Sequence, residues 1–74
     1  MHTKDEVIMR VEILVRKVRL EKGYTIDKVA QLTKMSKGHL SKIERGETEP
    51  TISTLVRLAI ALKVNVNDLY KIHY

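Results

Sequence analysis

Residues 25–46, TIDKVAQLTKMSKGHLSKIERG, decide the fold of this chain. Thr25 is the predicted N-cap of a short helix over residues 25–33, and Asp27 lies in its first turn, where the helix dipole favours an anion. Ser36 is the predicted N-cap of a second helix over residues 36–45, which ends at Gly46. Because only about three residues separate these helices, we expect them to cross steeply and the second to project from the body of the protein.

Apolar residues at helical spacing extend this pattern on both sides of the pair. A helix over residues 5–22, ending at Gly23, is predicted by Val7, Val11, Leu14 and Val18. A fourth helix, after a loop that contains Pro50, is predicted by Ile52, Leu55, Leu58, Ala59 and Leu62. Asn65 is the predicted cap of a fifth helix, so the C-terminal helices occupy residues 51–72.

Alternation of apolar and polar residues is nowhere long enough to predict a strand. The sequence therefore predicts an all-α fold, a compact five-helix domain that spans residues 1–74 without a linker or an internal repeat.

Composition narrows the class of protein. The 74 residues include 14 Lys and Arg against 9 Asp and Glu, a formal net charge of +5, which favours a polyanion as partner. The absence of cysteine excludes disulfides and thiolate metal sites. No apolar run approaches the ~20 residues of a membrane-spanning helix, and no signal peptide follows Met1. We therefore expect a cytoplasmic, nucleoid-associated protein with no membrane partner.

Catalysis is not expected from this sequence. An enzyme needs an acid, a base or a nucleophile clustered in a concave site. His2, His39 and His73 are far apart, none lies in a metal-ligand pair, and no glycine-rich phosphate loop is present. A chain this short buries only ~60% of the surface of its unfolded form, which leaves little room for a deep pocket. We expect no catalytic residue, cofactor, metal or small-molecule effector.

The predicted helix over residues 36–45 has one apolar face and one polar face. Its inward face is formed by Leu40 and Ile43. This leaves on the outer and flanking surfaces Lys37, Gly38, His39, Ser41 and Lys42. An α-helix fits the major groove of B-DNA, whose base edges distinguish every base pair. Double-stranded DNA is therefore the expected partner, whereas an acidic helix would favour docking to a protein.

Over roughly residues 16–70 the sequence resembles the Cro/C1-type (lambda-repressor-like, XRE) helix-turn-helix family. The matching segments are RLEKG at 19–23, TIDKVA at 25–30, MSKGHLSKIERG at 35–46 and PTISTL at 50–55, followed by LA, ALKV and DLY at 58–59, 61–64 and 68–70. The resemblance implies a transcriptional regulator, with repression expected, that binds double-stranded DNA as a homodimer on a palindromic operator.

The resemblance also assigns roles by position. It implies base reading by Lys37, Gly38 and Lys42, with support from Ser41 and His39. It implies that Arg45 reaches a phosphate just past the recognition helix. Further candidate phosphate contacts, of which the first two lie at helix N-termini, are Thr25, Ser36 and Lys34. Arg19 matches the family arginine that pairs with the glutamate at Glu44, which implies a structural ion pair.

Departures from the family pattern cluster near the expected DNA surface. Ile26 replaces a common phosphate-binding glutamine, and Gly38 removes a side chain from the reading surface. Lys34 replaces the usual glycine of the turn, which predicts either a positive φ or a different turn. Glu47 and Glu49 place negative charge in a loop that approaches the DNA backbone in relatives.

The C-terminal end offers a candidate dimer interface. More apolar and aromatic groups than a fifth helix needs for its own core are supplied by Val66, Tyr70, Ile72 and Tyr74. An alternative function is a protein-interaction module or an antitoxin component that uses the same helical domain. RNA binding is less favoured because the chain has 3 tyrosines but no Phe or Trp for a stacking platform.

Overall fold

The computed structural model describes residues 9–74, which contain four α-helices and a two-stranded antiparallel sheet. The elements follow the chain in this order: β1 (Arg10–Ile13), α1 (Val15–Glu21), α2 (Ile26–Thr33), α3 (Lys37–Glu44), α4 (Ile52–Leu62), a 3₁₀ turn (Val66–Leu69) and β2 (Tyr70–His73). None of the helices in this part of the chain is both long and apolar enough to cross a membrane.

The core lies between the four helices and the 3₁₀ turn. Its fully buried side chains are Val15, Val29, Leu40, Ile43, Leu58, Leu62 and Leu69. Full burial of one such side chain stabilises the fold by about 1.5–3 kcal/mol, so these few residues supply most of the driving force. Because α3 contributes only Leu40 and Ile43 to the buried set, most of its surface remains available.

Capping fixes the start of each helix in the pair α2 and α3. The Lys28 N–H donates to Thr25 Oγ1 at 3.1 Å, and the His39 N–H donates to Ser36 Oγ at 3.1 Å. Both predicted N-caps are thereby confirmed. Lys34 ends α2 at φ 57°, so of the two alternatives predicted for this position the structure shows the positive φ.

The predicted first helix is wrong in its N-terminal part. Residues 10–13 form β1, and α1 begins only at Val15; residues 5–8 of the prediction lie outside the described part. Arg10 and Glu12 are exposed while Val11 and Ile13 are half-buried, which is the alternation of a strand. In so short a segment, apolar residues satisfy helical spacing and alternation at once.

The predicted fifth helix is wrong as well. Residues 66–69 form a single 3₁₀ turn, in which the Asn65 N–H donates to Asp68 Oδ2 at 3.0 Å, and residues 70–73 form β2. The strands pair in the register Arg10↔His73, Val11↔Ile72, Glu12↔Lys71 and Ile13↔Tyr70. The ribbon formed by β1 and β2 therefore replaces helix at both ends of the described chain, and the expectation of an all-α, five-helix fold is corrected.

Candidate nucleic-acid interface

α3 presents a polar surface to solvent because its apolar side chains all point into the core. Leu40 and Ile43 are fully buried. Exposed on the opposite side are Lys37, Gly38, His39 and Lys42, with Ser41 half-buried beside them. The structure thus gathers on one helix the residues that the sequence predicted to read bases.

The turn before α3 adds a further cation. Thr25, Lys34 and Ser36 are all exposed. The hydroxyl groups of Thr25 and Ser36 already accept N–H groups of their own helices, so an anion at either helix start meets the remaining backbone N–H donors. Lys34 is the residue with left-handed backbone conformation between α2 and α3, and its side chain is exposed.

Lys37 forms an exposed ion pair with an acidic residue of α2. Its Nζ lies 3.1 Å from Asp27 Oδ1, and both side chains are largely exposed. An exposed pair of this kind contributes at most about 1 kcal/mol, because water screens the charges. Lys37 is therefore free to exchange this carboxylate for a DNA group at little cost.

Arg45, just past α3, forms an ion pair with Glu47 through its Nε and Nη2 atoms. The hydrogen bond from Arg45 holds the pKa of the Glu47 carboxyl below its ordinary value, and the same bond raises the pKa of Arg45. Glu47 therefore occupies the guanidinium to which the family resemblance assigned a phosphate.

Arg19 of α1 and Glu44, the last residue of α3, form a bidentate ion pair. Arg19 Nε donates to Glu44 Oε2 at 2.8 Å and Nη2 donates to Oε1 at 3.0 Å. The two side chains are only 10% and 5% exposed. Nη1 of Arg19 donates to the Tyr24 carbonyl at 2.9 Å, so one guanidinium joins α1, the turn before α2 and the end of α3.

One basic residue near this surface was missed as a site residue. Arg16 of α1 is exposed and lines a shallow cleft together with Ser41 and Arg45. Helical spacing predicts only that Arg16 lies on the polar face of α1, because spacing along α1 does not reveal which residues meet α3. Ile26 lines the same cleft and packs against the core.

The candidate dimer residues separate into two groups. Val66 and Tyr70 are half-buried and pack against the core. Ile72 and Tyr74 are 38% and 98% exposed. Within residues 9–74, no cluster of three or more His, Asp and Glu side chains is placed to hold a metal.

Two capped helices joined by a tight turn, the second with an exposed basic face, define a helix-turn-helix DNA-binding domain. The helix-turn-helix family model HTH_3 matches residues 15–69. The chain therefore belongs to the Cro/C1-type (XRE) helix-turn-helix family, whose members are DNA-binding transcriptional regulators.

Similar sequences are known transcriptional regulators. The HTH-type transcriptional regulator SlrR of Bacillus subtilis is 38% identical over 58 residues, which cover 77% of this chain and 38% of SlrR. SinR of the same organism is 36% identical over 56 residues, which cover 74% of this chain and 50% of SinR. The chain thus spans half or less of the length of these relatives.

Solved structures agree with this assignment. The clp gene regulator ClgR from C. glutamicum superposes with a TM-score of 0.71 at 35% identity, over 73% of this chain and 70% of that one. SinR, the master regulator for biofilm formation, in complex with DNA, gives a TM-score of 0.67 at 33% identity, over 72% of this chain and 86% of that one.

Proposed function

We propose that this protein is a sequence-specific repressor of transcription that inserts α3 into the major groove of double-stranded DNA. The observation that carries the proposal is the division of α3 into two faces. Leu40 and Ile43 are fully buried, whereas Lys37 and Lys42 extend into solvent from the same two turns. A helix that is fixed by its apolar side and basic on the other is suited to a groove lined by hydrogen-bonding base edges.

Base reading and backbone anchoring are assigned to different residues. Lys37 and Lys42 read bases, with Gly38, His39 and Ser41 beside them. Contacts to phosphate come from Arg45 and Lys34, and from the backbone N–H groups at the helix starts near Thr25 and Ser36. Arg16 joins the phosphate-binding set because it shares a cleft with Ser41 and Arg45.

The active form is a homodimer on a palindromic operator. One copy of this small domain offers few base contacts, whereas two copies on half-sites about one helical turn apart double the number of specific contacts. A twofold arrangement of identical chains is also the commonest form of oligomer. The exposed side chains of Ile72 and Tyr74 support an interface at the ribbon formed by β1 and β2.

Selection of bound duplexes from a random DNA library tests this function. We expect enrichment of a palindrome with two related half-sites. Lys42→Ala is expected to weaken binding to that sequence by ~1–3 kcal/mol and to relax preference at one or two base positions. Arg45→Ala should weaken binding to all sequences about equally.

Two results would contradict the proposal. Recovery of no preferred sequence by the wild-type protein would favour a protein-docking module or an antitoxin component. Indistinguishable base preferences of the Lys42→Ala and Arg45→Ala variants would refute the division between base reading and phosphate binding.

A further inference from the structure

Within residues 9–74, β1 is paired along one edge only, with β2. The Leu14 N–H donates to the Leu69 carbonyl at 2.8 Å, which continues the register that sets Glu12 opposite Lys71. Hydrogen-bonded and non-hydrogen-bonded pairs alternate along an antiparallel ladder. The backbone groups of Glu12 therefore point toward β2, and those of Val11 and Ile13 point away from it, toward the open edge.

This open edge borders a surface groove. On one side the groove is lined by residues 9–13, and on the other by residues between 44 and 49 that end α3 and follow it. Unpaired N–H and C=O groups along a strand edge are a ready template for another strand. The edge of β1 is thus available for pairing at a position next to the C-terminal end of α3.

We propose that β1 pairs with β1 of a second copy of the chain, antiparallel, about a twofold axis that passes through Val11. The two ribbons then form one four-stranded sheet, with the β1 strands at its centre. The inference deepens the proposed function, since it rests on the homodimer proposed there and assigns its interface.

The side chains of β1 are complementary to themselves in this register. With Val11 on the axis, Arg10 of each copy lies opposite Glu12 of the other, and Met9 lies opposite Ile13. Arg10 and Glu12 occupy non-hydrogen-bonded positions, where opposed side chains are closest. Opposite charges at such positions stabilise a pair of strands, and here the arrangement occurs twice by symmetry.

Other registers of the same edge oppose like or mismatched groups. An axis through Glu12 sets two glutamates against each other, which is destabilising. A shift by one residue opposes apolar and charged faces, because side chains alternate with a period of two. Pairing through β2 offers no opposite charges: an axis through Lys71 opposes two lysines, and an axis through Ile72 sets Lys71 against His73.

The apolar face of the four-stranded sheet is continuous. Because Val11 lies opposite Ile72 within one copy, the axis creates the row Ile72, Val11, Val11, Ile72 across both copies. The same register, continued by one residue, sets Met9 beside Tyr74, and these side chains are 56% and 98% exposed in the single chain. In the dimer, Met9 and Tyr74 of one copy lie in one row with Ile13 and Tyr70 of the other copy. The Ile13 and Tyr70 side chains pack against the core of their own copy.

The polar face alternates in charge. Its rows read Lys71, Glu12, Arg10, His73, where the first two residues belong to one copy and the last two to the other. Glu12 already lies 2.8 Å from the His73 Nε2 of its own chain. In the sheet Glu12 therefore has Lys71 and His73 of its own chain on one side and Arg10 of the other copy on the other side.

Charge reversal tests the register. Sedimentation velocity over a range of protein concentrations should show a dimer for the wild-type chain. Arg10→Glu and Glu12→Arg should each raise the dimer dissociation constant at least about tenfold, because each opposes like charges twice. The double variant with both reversals restores the complementary pairs and should regain most of the wild-type association.

Two matched controls locate the effect. Lys28→Glu reverses an exposed charge on α2, away from the ribbon, and should leave the dimer unchanged. Ile60→Lys places a charge on a separate exposed apolar ridge of α4, formed with Ile52 and Val56, and should also leave it unchanged. Loss of the dimer in Ile60→Lys but not in Arg10→Glu would overturn the proposal, as would a double variant no better than either single one.

Amide exchange measured by NMR gives an independent readout at backbone level. The Glu12 amide bonds to β2 and should be protected at every concentration. The Val11 and Ile13 amides should gain protection only as the dimer forms. Dimerisation without protection of these two amides would place the interface elsewhere and refute the pairing.

Failure of this inference is distinguishable from failure of the proposed function. A chain that binds its selected DNA sequence yet shows no pairing of β1 at any concentration, free or on DNA, refutes only the interface. A chain that pairs through β1 but selects no DNA sequence refutes only the DNA-reading role. Loss of the dimer in Arg10→Glu together with retained binding to a single half-site supports both, because the α3 surface of this variant is unchanged.

Discussion

At the level of single residues, the Arg19 guanidinium uses all three of its nitrogens to connect separate segments. Nε and Nη2 donate to Glu44, and Nη1 donates to the Tyr24 carbonyl. Because Glu44 is the last residue of α3, the pair connects the C-terminal end of that helix to α1. We interpret it as a structural connection that stabilises the packing of α1 against α3 without forming part of the proposed DNA-binding surface.

Removal of one partner is therefore expected to be costly. Arg19→Met and Glu44→Met should each lower the free energy of unfolding by about 3–5 kcal/mol, because each leaves an unpaired charge in a largely buried site. Replacement of both residues by methionine should do less damage than either single change, since no unpaired charge remains. Urea denaturation of the four proteins measures these differences.

The same variants separate structural from DNA-binding roles. At a temperature where a single variant is still folded, its DNA affinity should stay near that of the wild type. A variant that unfolds like the wild type but no longer binds DNA would move Arg19 to the interface.

Glu47 is expected to restrain DNA binding. Glu47→Gln releases Arg45 for a phosphate and should increase affinity for duplex DNA more than Glu49→Gln does. The two variants change the net charge equally, so the difference between them isolates the Arg45 ion pair from long-range attraction. Fluorescence anisotropy with a labelled duplex measures both affinities; equal gains would show that Glu47 acts only through its charge.

At the level of elements, the sequence predicted well what local chemistry determines. Thr25 and Ser36 mark helix starts because their hydroxyl groups accept nearby N–H groups, and that interaction spans three residues. Lys34 adopts a positive φ because α2 and α3 need a left-handed residue between them, whichever side chain occupies it. The second left-handed lysine, Lys63 after α4, was not predicted.

The strands could not be predicted in the same way. β1 and β2 have four residues each, and each is stabilised by a partner at the far end of the described chain. The Glu12–His73 hydrogen bond spans 61 positions, so no local pattern contains it. For the same reason Arg16 was missed, since its proximity to Ser41 depends on how α1 packs against α3.

The ribbon is expected to loosen in acid. The His73 hydrogen bond, with smaller contributions from Arg10 and Lys71, holds the pKa of the Glu12 carboxyl below its ordinary value of 4.5. A group with a lowered pKa stabilises the folded form above its unfolded pKa, and this contribution is lost as the pH falls through the lowered value. Protection of the Glu12 and Lys71 amides should therefore decrease below about pH 4.5.

Glu12→Gln provides the control for this pH dependence. Its ribbon should be less protected at neutral pH and should respond little to acid, because the titrating group is gone. Measurements at low protein concentration keep dimerisation out of the comparison. Identical pH profiles for the variant and the wild type would exclude Glu12 as the responsible group.

At the level of the whole molecule, a formal net charge of +5 predicts a strong dependence of DNA binding on salt. Each phosphate neutralised should contribute about −0.9 to the slope of log affinity against log salt concentration. Arg45→Gln should therefore flatten the slope, whereas Lys63→Gln, in the exposed turn after α4, should leave it unchanged. Titrations at several potassium chloride concentrations measure the slope; duplex affinity independent of salt would contradict DNA as the partner.

The pairing of β1 with β2 also has a consequence for the order of folding. The ribbon closes a loop of about sixty residues, and such distant contacts form late because the chain must first lose the entropy of the open loop. During synthesis the segments that form the four helices leave the ribosome before Tyr70–His73 does, because they precede it in the chain. α3 therefore leaves the ribosome while β1 still lacks its neighbour, and a newly made chain passes through a stage at which β1 is not yet paired with β2.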